Sequence, residues 1–420
     1  ILEVTTSPAE TAPGLIFLGA QVRNGQNGAL VVDNAGEPVW FELPAESTSL
    51  SKELRVQQYQ GQPVLTWAEA AMTVGYGFGH YVIADAAYRP IARLGVGNGF
   101  PGGDVHEFVL TSRGTALVIL YHPVEWDLSP IGGSRYGKVL DNIVQELEVE
   151  TGRVLYEWHS LDHIGLDEAQ NPFDASSDNP FDYFHLNSVN ETPDGQMIVS
   201  ARHTFGIYKL DGRTGEVIWR LNGTKSDFAM GEGTPFAWQH DARIHENGDL
   251  TLFDNAESNQ ELEATAWSRG MVLALDEDAM TASLVREYVH PTEILSTSQG
   301  NMQMLPNGNV FIGWGSAPVF SEFSPDGELV FNGRFPAAGT SYRAYRFEWV
   351  GHPAEPPAVA AERGDGDAVT VYASWHGATE VASWRALSGP SAGALAEAGT
   401  APRDGFETVV ELTTVERWVA

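Results

Sequence analysis

Histidine and asparagine side chains recur at matching positions of a repeated sequence block. His106, Asn187 and His240 each stand eight residues before a turn glycine, in HEFVLTSRG, NSVNETPDG and HDARIHENG. An imidazole can attack an electrophilic group or move a proton, and an amide can hold a substrate oxygen. The pattern therefore predicts one active site that is built from equivalent positions of several structural units.

Each block is predicted to be a β-hairpin, and hairpin geometry adds further side chains to this set. Residues equally far before and after the turn lie opposite each other. Counting from Gly195 brings in Arg202 and His203, and counting from Gly114 brings in His122. A residue two positions before another on a strand shares its face. The side chains predicted to lie at the same end of the hairpins are therefore His106, His122, His185, Asn187, Arg202, His203 and His240.

Several imidazoles beside one guanidinium form an anion-binding site. Arg202 suits a bidentate oxyanion such as sulfate, phosphate or carboxylate. A histidine can attack a sulfuryl or phosphoryl group, carry it covalently and pass it on. Zinc, iron or copper is the competing interpretation of the histidines. The chain has no HxH or HExxH pair, and Arg202 would repel a cation, so we expect no metal.

Two alternating series of hairpins predict an all-β fold, a six-bladed β-propeller. The inner series contains the three blocks above and two more, ELRVQQYQG and GNMQMLPNG, in which Glu53 and Gly300 occupy the matching position. The outer series has six members, from VVDNAGEPVWF to FSPDGELVFNGRF. Periods of roughly fifty to eighty residues fit four-stranded blades. One inner hairpin is missing, so we expect GLIFLGA (14–20) to pair with a strand of AYRFEWV (344–350) and close the ring. A β-sandwich or a pair of small β-domains is the alternative.

The chain is predicted to divide into two domains. Residues 1–351 would form the propeller, with the active site at the mouth of its central channel. A linker rich in Pro, Ala and Gly then follows, HPAEPPAVAAERGDGDA (352–368), with short alternating strands beyond it. We expect residues 352–420 to form a small β-sandwich.

Composition bounds the partners and the environment. There are 56 acidic and 24 basic residues, with a formal net charge of -32, which argues against binding of nucleic acid or an anionic membrane. Cysteine is absent, which excludes a disulfide and a cysteine nucleophile. No apolar run approaches the roughly 18 residues of a membrane span. We expect a secreted or extracytoplasmic protein, mainly from its charge, and the sequence does not indicate its oligomeric state.

The acidic segment NPFDASSDNPFDYFH (171–185) has two interpretations. It could bind a structural calcium ion, but its spacing does not match an EF-hand loop. The favoured interpretation is a solvated lid, in which Phe173, Phe181, Tyr183 and Phe184 pack beside the mouth. Tyr183 is therefore a candidate substrate-binding residue, together with Asn187, His203 and His122, and no catalytic cofactor is expected.

At these residues the chain resembles the arylsulfotransferase family, bacterial enzymes that use sulfate esters and need no nucleotide sulfate donor. The resemblance covers about residues 14–350. It rests on four motifs: DVHEF (104–108), FHLNSV (184–189), SARH (200–203) followed by IYKLDGRTGEVIWRLNG, and WQHDAR (238–243).

The resemblance implies a six-bladed propeller that works by a ping-pong mechanism through a sulfohistidine. His240 in WQHDAR would be the nucleophile. His106, His185 and Arg202 would hold the sulfuryl oxygens and assist proton transfer, with Asn187 as a further donor. The sulfuryl donor would be an aryl sulfate and the acceptor a phenol. Two alternatives stay open: a module that binds a small anion or glycan without turnover, and a lyase or isomerase that uses the same histidines as acid and base.

Overall fold

The computed structural model describes residues 2–6, 10–22, 26–46, 48–256, 267–336 and 339–420. The regular secondary structure of these residues is almost entirely β-strand. The helical elements among them are α1 (Ser160–His163) and three 3₁₀ turns, at Ser129–Ile131, Leu166–Glu168 and Arg202–Thr204. Within the described ranges, no helix has the length and apolar character needed to cross a membrane.

The strands are numbered in chain order. The first sixteen are β1 (Glu3–Thr6), β2 (Leu15–Gln21), β3 (Gly28–Val32), β4 (Pro38–Glu42), β5 (Ser49–Tyr59), β6 (Gln62–Met72), β7 (Gly77–Ala84), β8 (Pro90–Leu94), β9 (Phe108–Leu110), β10 (Thr115–Trp126), β11 (Gly137–Glu148), β12 (Val154–His159), β13 (Leu186–Glu191), β14 (Met197–Ala201), β15 (Gly206–Leu210) and β16 (Val217–Leu221). The others are β17 (Ala229–Met230), β18 (His240–Ile244), β19 (Leu250–Asp254), β20 (Arg269–Asp276), β21 (Thr281–Val289), β22 (Asn301–Met304), β23 (Val310–Gly313), β24 (Val319–Phe323), β25 (Leu329–Arg334), β26 (Thr340–Phe347), β27 (Ala358–Arg363), β28 (Ala368–Ser374), β29 (Ser383–Gly389), β30 (Ala396–Pro402), β31 (Glu407–Thr413) and β32 (Trp418–Val419).

Strands β1 to β26 form six sheets of four or five strands. Their strand orders are β26-β2-β3-β4 in sheet 1, β5-β6-β7-β8 in sheet 2, β9-β10-β11-β12 in sheet 3, β13-β14-β15-β16 in sheet 4, β18-β19-β20-β21 in sheet 5 and β22-β23-β24-β25 in sheet 6. Neighbouring strands in these orders are antiparallel. Two short strands extend the outer edges: β17 lies parallel to β21, and β1 lies antiparallel to β25.

The predicted hairpins are present in these sheets. The five inner turns contain a glycine with positive φ, between 75° at Gly61 and 89° at Gly308, a conformation that glycine adopts without steric cost. The predicted pairing of the two distant segments is also present, because β2 is antiparallel to β26 with Leu15 opposite Phe347. Sheet 1 therefore joins strands from both ends of the first 350 residues.

Six apolar clusters lie between consecutive sheets. Trp158 and Val199, for example, share the cluster between sheets 3 and 4, and Phe17 shares another with Trp67 of sheet 2. The last cluster combines Phe311 of sheet 6 with Ile16 of sheet 1. Full burial of such a side chain stabilises the fold by about 1.5–3 kcal/mol. Each sheet thus buries both faces against a neighbour.

The C-terminal strands form two further sheets, β27-β28-β31 and β30-β29-β32. The two sheets share a small apolar core that includes Val371, Ala386 and Leu412. This part contacts sheets 1 and 2. The imidazole of His376 accepts a hydrogen bond from the backbone N–H of Phe41 at 2.9 Å, and the hydroxyl of Tyr88 donates to the carbonyl of Gly377 at 2.6 Å.

Candidate active site

A cavity of about 550 Å³ collects most of the predicted functional side chains. Five of them lie on its wall: His106, His185, Arg202, His203 and His240. They come from different sheets, at or just before the start of an inner strand or just after the strand beside it. The hairpin interpretation therefore placed these five side chains at one end of the sheets, as the cavity requires.

Hydrogen bonds fix the orientation of the His240 ring. The Nδ1 atom lies 2.7 Å from the Oδ1 of Asn255 and 2.9 Å from the carbonyl oxygen of Trp238. The amide nitrogen of Asn255 donates to the carbonyls of Ser296 (2.7 Å) and Gln299 (2.9 Å), so its oxygen must be the atom that faces His240. Nδ1 faces two acceptors and therefore carries the proton, which leaves the lone pair on Nε2.

The unprotonated nitrogen of His240 lies beside the cavity. Asn255 and Trp238 enclose the Nδ1 edge and do not line the cavity, whereas Gln299, whose backbone N–H donates a hydrogen bond to Nε2 at 3.2 Å, does. Burial, followed by the positive charge of Arg202, lowers the pKa of His240 well below 6.5. The side chain is thus a neutral imidazole whose Nε2 lone pair accepts a hydrogen bond from the cavity wall, and it can act as a nucleophile once a substrate displaces that bond.

His106 is backed by a buried carboxylate. Its Nδ1 and its backbone N–H both contact the Oδ1 of Asp104, the latter at 2.9 Å. Burial lowers the pKa of His106, although Asp104 opposes that shift. The neutral ring therefore directs its N–H at Asp104 and keeps the lone pair on Nε2.

A second histidine–carboxylate pair lies next to the first. The Nδ1 of His185 is 2.5 Å from the Oδ2 of Asp182, and the rings of His106 and His185 are 5.3 Å apart. His185 has a left-handed φ of 55°, a conformation that non-glycine residues seldom adopt and that recurs at functional sites. Burial raises the pKa of Asp182, but His185 and His203 outweigh it and hold that pKa at about 2.

Arg202 is held by three neighbours on the cavity wall. Its guanidinium lies 4.4 Å from the ring centroid of Trp238, its Nη2 donates to the carbonyl of Thr297 at 3.0 Å, and its Nη1 lies 2.8 Å from the Nε2 of His203. His203 in turn directs Nδ1 at the carbonyl of Asp182, 2.6 Å away. Burial lowers the pKa of His203 to about 3, so this ring is neutral and accepts from the arginine.

Asp182, His185 and His203 could also hold a metal ion, because one ligand atom from each lies within 4.8 Å of the others. The hydrogen bonds argue against it. The Nδ1 atoms of both histidines contact Asp182, and Arg202 contacts the remaining nitrogen of His203. A cation would have to displace the Nδ1 protons of both rings or, at the other nitrogen of His203, the guanidinium. In the described ranges this is the one such grouping, and Asp174 and Asp178 of the acidic segment do not form a second.

Three predicted substrate-binding residues lie outside the cavity. The side chain of Asn187 is fully buried in its wall and donates to the carbonyl of Gln239 at 2.7 Å. Tyr183 is a core residue whose hydroxyl reaches the carbonyl of Ile164 at 3.3 Å. His122 packs against Phe100, with the ring centroids 5.1 Å apart.

The count that placed His122 beside His106 took Gly114 as the axis of the hairpin, the point about which residues on the two strands pair, and this was wrong. Strand β9 pairs Leu110 with Ala116, so the axis lies one residue before Gly114. That shift moves the predicted partner of His106 by two residues.

The acidic segment, in contrast, does reach the cavity: residues 171–174 and 179–182 line it, with Phe173 and Phe181 in edge-to-face contact at 5.2 Å. Tyr183 and Phe184 are in the core instead.

Lys52 of β5 and Tyr342 of β26 are among the cavity residues that the sequence reasoning missed. Counting from Gly61 had assigned the repeat position to Glu53. Arg55 stands six residues before its turn glycine and Arg243 only five, so one extra residue before the turn of β5 moves the equivalent position by one residue. The signal was in the sequence, because KELR (52–55) matches HDAR (240–243) in its acidic residue and its arginine.

Directly behind the cavity wall lies a buried layer of ion pairs, the charged layer. Four cavity residues, Lys52, His106, His240 and Tyr342, are each followed in sequence by one of its members. The layer consists of Glu53, Arg55, Glu107, Asp241, Arg243 and Arg343. On its far side a second cavity of about 490 Å³ is lined by Arg55, Asp241 and Arg243.

Arg343 is the centre of the charged layer. Its Nη1 lies 2.9 Å from Glu53, 3.3 Å from Glu107 and 3.5 Å from Asp241. Burial raises the pKa of Glu107, but Arg243, Arg343 and Arg55 outweigh it and hold that pKa at about 2. The layer ties together sheets 1, 2 and 5 and the segment that leads into sheet 3.

The family model described as Arylsulfotransferase (ASST) matches residues 55–336. The chain belongs to the arylsulfotransferase family. The matched range contains His106, His185, Arg202 and His240, whereas Lys52 and Tyr342 lie outside it. No curated protein matches the chain.

Two solved structures illustrate what the arylsulfotransferase-family chain is similar to in fold. One is a protein of unknown function from Bacteroides caccae, with 13% identity and a TM-score of 0.46, over 79% of this chain and 98% of that one. The other is a catalytically inactive form of virginiamycin B lyase from Staphylococcus aureus with quinupristin, with 11% identity and a TM-score of 0.38, over 88% and 97%.

Proposed function

We propose that this chain transfers a sulfuryl group from an aryl sulfate ester to a phenolic acceptor, through a sulfohistidine at His240. The observation that carries the proposal is the fixed tautomer of His240, with Nδ1 held by Asn255 and the lone pair of Nε2 on the cavity side. Membership of the arylsulfotransferase family supports the reaction type.

In the first half-reaction the Nε2 of His240 attacks the sulfur atom, and the bond from sulfur to the aryl oxygen breaks. The phenolate leaves, and the ring carries the sulfuryl group on Nε2 while Nδ1 keeps its proton. The sulfated ring is positively charged, and the oxygen atoms of Asn255 and Trp238 beside Nδ1 stabilise that charge. In the second half-reaction a phenolate oxygen attacks the same sulfur, and His240 returns to its neutral form.

Other cavity residues hold the transferring group. Arg202 supplies a fixed positive charge for the sulfuryl oxygens, in a site where burial strengthens electrostatic interactions. His106 and His185 flank the same space, and Asp104 and Asp182 would stabilise either ring if it takes up a proton. Phe173, Phe181 and Tyr76 offer aromatic surface for the aryl group.

The scaffold proposal follows from the apolar clusters between the sheets. Because the sixth cluster joins sheet 6 to sheet 1, we propose that the six sheets close into a six-bladed propeller over residues 1–351, with residues 352–420 as a separate sandwich domain. The cavity and the charged layer would then lie along the propeller axis. We also propose that the protein is secreted or extracytoplasmic, on the support of its net charge of -32.

A coupled assay tests the reaction. Purified protein is incubated with para-nitrophenyl sulfate, with and without phenol, and the release of nitrophenol and formation of phenyl sulfate are both measured. We expect transfer that depends on phenol in the wild type and none in His240→Ala. Incubation with sulfur-labelled ester followed by peptide mapping should place an acid-labile label on His240.

Three results would contradict the proposal. Full sulfuryl transfer by the His240→Ala variant would show that His240 is not the nucleophile. Saturable binding of an aryl sulfate by the wild type, with no nitrophenol release at any concentration, would favour a binding module instead. Turnover of an unsulfated substrate with no covalent intermediate would favour the lyase or isomerase.

A further inference from the structure

Lys52 is a buried cation on the cavity wall. The residue is 5% exposed, and its Nζ lies 5.3 Å from the ring centroid of Tyr342. The same ring is 5.3 Å from the ring of His106 and 6.4 Å from that of His240. Lys52, His106 and His240 thus all lie around one ring, that of Tyr342.

Lys52 occupies in sheet 2 the place that His240 occupies in sheet 5. Each is followed by an acidic residue in the left-handed conformation, with φ of 60° at Glu53 and 57° at Asp241. In both strands the register shifts at this point, and an arginine stands three residues further on. Such bulges redirect side chains and recur next to active sites. The same backbone device therefore presents a nucleophile in one sheet and an ammonium group in the other.

The ammonium group makes no direct polar contact with the protein. Across the described residues, Lys52 has no ion pair and no side-chain hydrogen bond; its Nζ lies over the face of Tyr342, and Asp104 attracts its charge without forming an ion pair with it. Lysine is seldom buried without a partner, because desolvating its charge is costly. Since the side chain borders the cavity, an anionic group bound in the cavity would pair with the ammonium group of Lys52.

We propose that Lys52 is the acid–base residue of the transfer, giving its proton to the departing phenolate and taking one from the acceptor phenol. This inference rests on the proposed function. In the first half-reaction the ammonium becomes an amine as the phenolate becomes a phenol. In the second, the amine takes the hydroxyl proton of the acceptor while its oxygen attacks the sulfur on His240, and the ammonium is restored.

Two further observations favour Lys52 over His106 for this role. The neutral ring of His106 has its N–H on the Asp104 side, so it has no proton to give to a leaving group in the cavity. Burial lowers the pKa of Lys52 to about 8, with Asp104 opposing the shift. Both the ammonium and the amine are therefore accessible near neutral pH, as a group that alternates between acid and base requires.

The test compares two donors that differ in how much their leaving groups need a proton. Phenolate is a strong base and para-nitrophenolate a weak one. We expect Lys52→Met to slow phenol release from phenyl sulfate by about 100-fold or more, and nitrophenol release by about 10-fold or less. Lys209→Met, at a lysine that pairs with Glu277 away from the cavity, should leave both rates unchanged.

A second variant separates proton transfer from simple attraction of an anion. Lys52→Arg keeps the charge but cannot give up its proton at these pH values. We expect it to resemble Lys52→Met with phenyl sulfate. Recovery of activity in Lys52→Arg, or an equal loss with both esters, would overturn the proposal, as would unchanged rates in Lys52→Met. If Lys52→Met does not fold, Lys52→Gln takes its place.

Failure of the proposed function would look different. In that case the wild type would release neither phenol nor nitrophenol from its ester. A wild type that turns over both esters, with a Lys52→Met variant that has lost the same factor on each, would leave the sulfuryl transfer standing and overturn the role of Lys52 alone.

Discussion

The Nδ1 atom of His240 lies 2.7 Å from the Oδ1 of Asn255, and this contact decides which nitrogen of the ring carries the lone pair. Asn255 is itself oriented, because its amide nitrogen donates to two backbone carbonyls. A residue that no repeat pattern singled out thus positions the proposed nucleophile.

Removing the asparagine amide should slow the reaction without removing the nucleophile. We expect Asn255→Ala to lower kcat for aryl sulfate turnover by at least about 10-fold with little change in KM, because the ring loses its preferred tautomer. Asn309→Ala is the matched control, since Asn309 is also buried and hydrogen-bonded but lies outside the cavity. Equal kcat values for the wild type and Asn255→Ala would show that the tautomer is fixed by Trp238 alone.

Lysine should not replace Arg202. The guanidinium contacts His203, Thr297 and the face of Trp238 at once, and an ammonium group cannot reproduce that planar arrangement. We expect Arg202→Lys to lower kcat by about 100-fold, the usual effect of removing one charge-stabilising group. Arg93→Lys is the control, because Arg93 also contacts a histidine nitrogen but on an outer strand. Near-normal turnover by Arg202→Lys would mean that charge alone suffices.

Disrupting the charged layer should lower the free energy of unfolding. Arg343→Ala leaves Glu53, Glu107 and Asp241 without their shared cation in a buried site. We expect a loss of about 3–5 kcal/mol in the free energy of unfolding, measured by denaturant titration. Arg89→Ala, which breaks an exposed pair with Asp85, should cost less than about 1 kcal/mol. Similar losses for the two variants would contradict the central place of Arg343.

Stability should fall as the pH drops below 6.5. The folded pKa of His203 is about 3, so between pH 6.5 and 3 the unfolded chain binds a proton there that the folded chain does not. Each pH unit in that range therefore costs about 1.4 kcal/mol for this one group. We expect His203→Gln to flatten the slope of unfolding free energy against pH by about one proton. His352→Gln, at an exposed histidine, is the control, and an identical slope for His203→Gln would refute the burial argument.

Chelation should leave activity intact. Because the Nδ1 atoms of His185 and His203 and the Nε2 of His203 are already hydrogen-bonded within the protein, we expect full aryl sulfate turnover after dialysis against EDTA. Loss of turnover that zinc or manganese restores would show that these residues hold a metal ion.

Much of the fold was predictable because hairpins are local. The turn glycines and the alternating strands on either side of them define β5–β6 or β13–β14 from a few consecutive residues. The pairing of β2 with β26 could be predicted only because one inner hairpin was missing from the count. How tightly the sheets pack depends on side chains distant in sequence, such as Phe311 against Ile16, and no local pattern shows such contacts.

Part of the site was predictable for the same reason. His106, His185, Arg202 and His240 lie where hairpin counting puts them, at one end of the sheets. The count failed where a strand departs from regular geometry. One extra residue in β5 moved the position from Glu53 to Lys52, and a turn axis displaced by one residue misplaced His122. Asn255 and Asp182 act through contacts between segments, which spacing alone does not reveal.

The charged layer limits how phenols can enter and leave the cavity that contains His240. It separates the two cavities, so it closes the one that contains His240 on that side. If the reaction is sulfuryl transfer, the released phenol leaves on the side of the cavity away from this layer, which is also the side from which the acceptor phenol enters. The released phenol and the acceptor phenol would therefore occupy the cavity one after the other. An excess of the released phenol would inhibit binding of the acceptor.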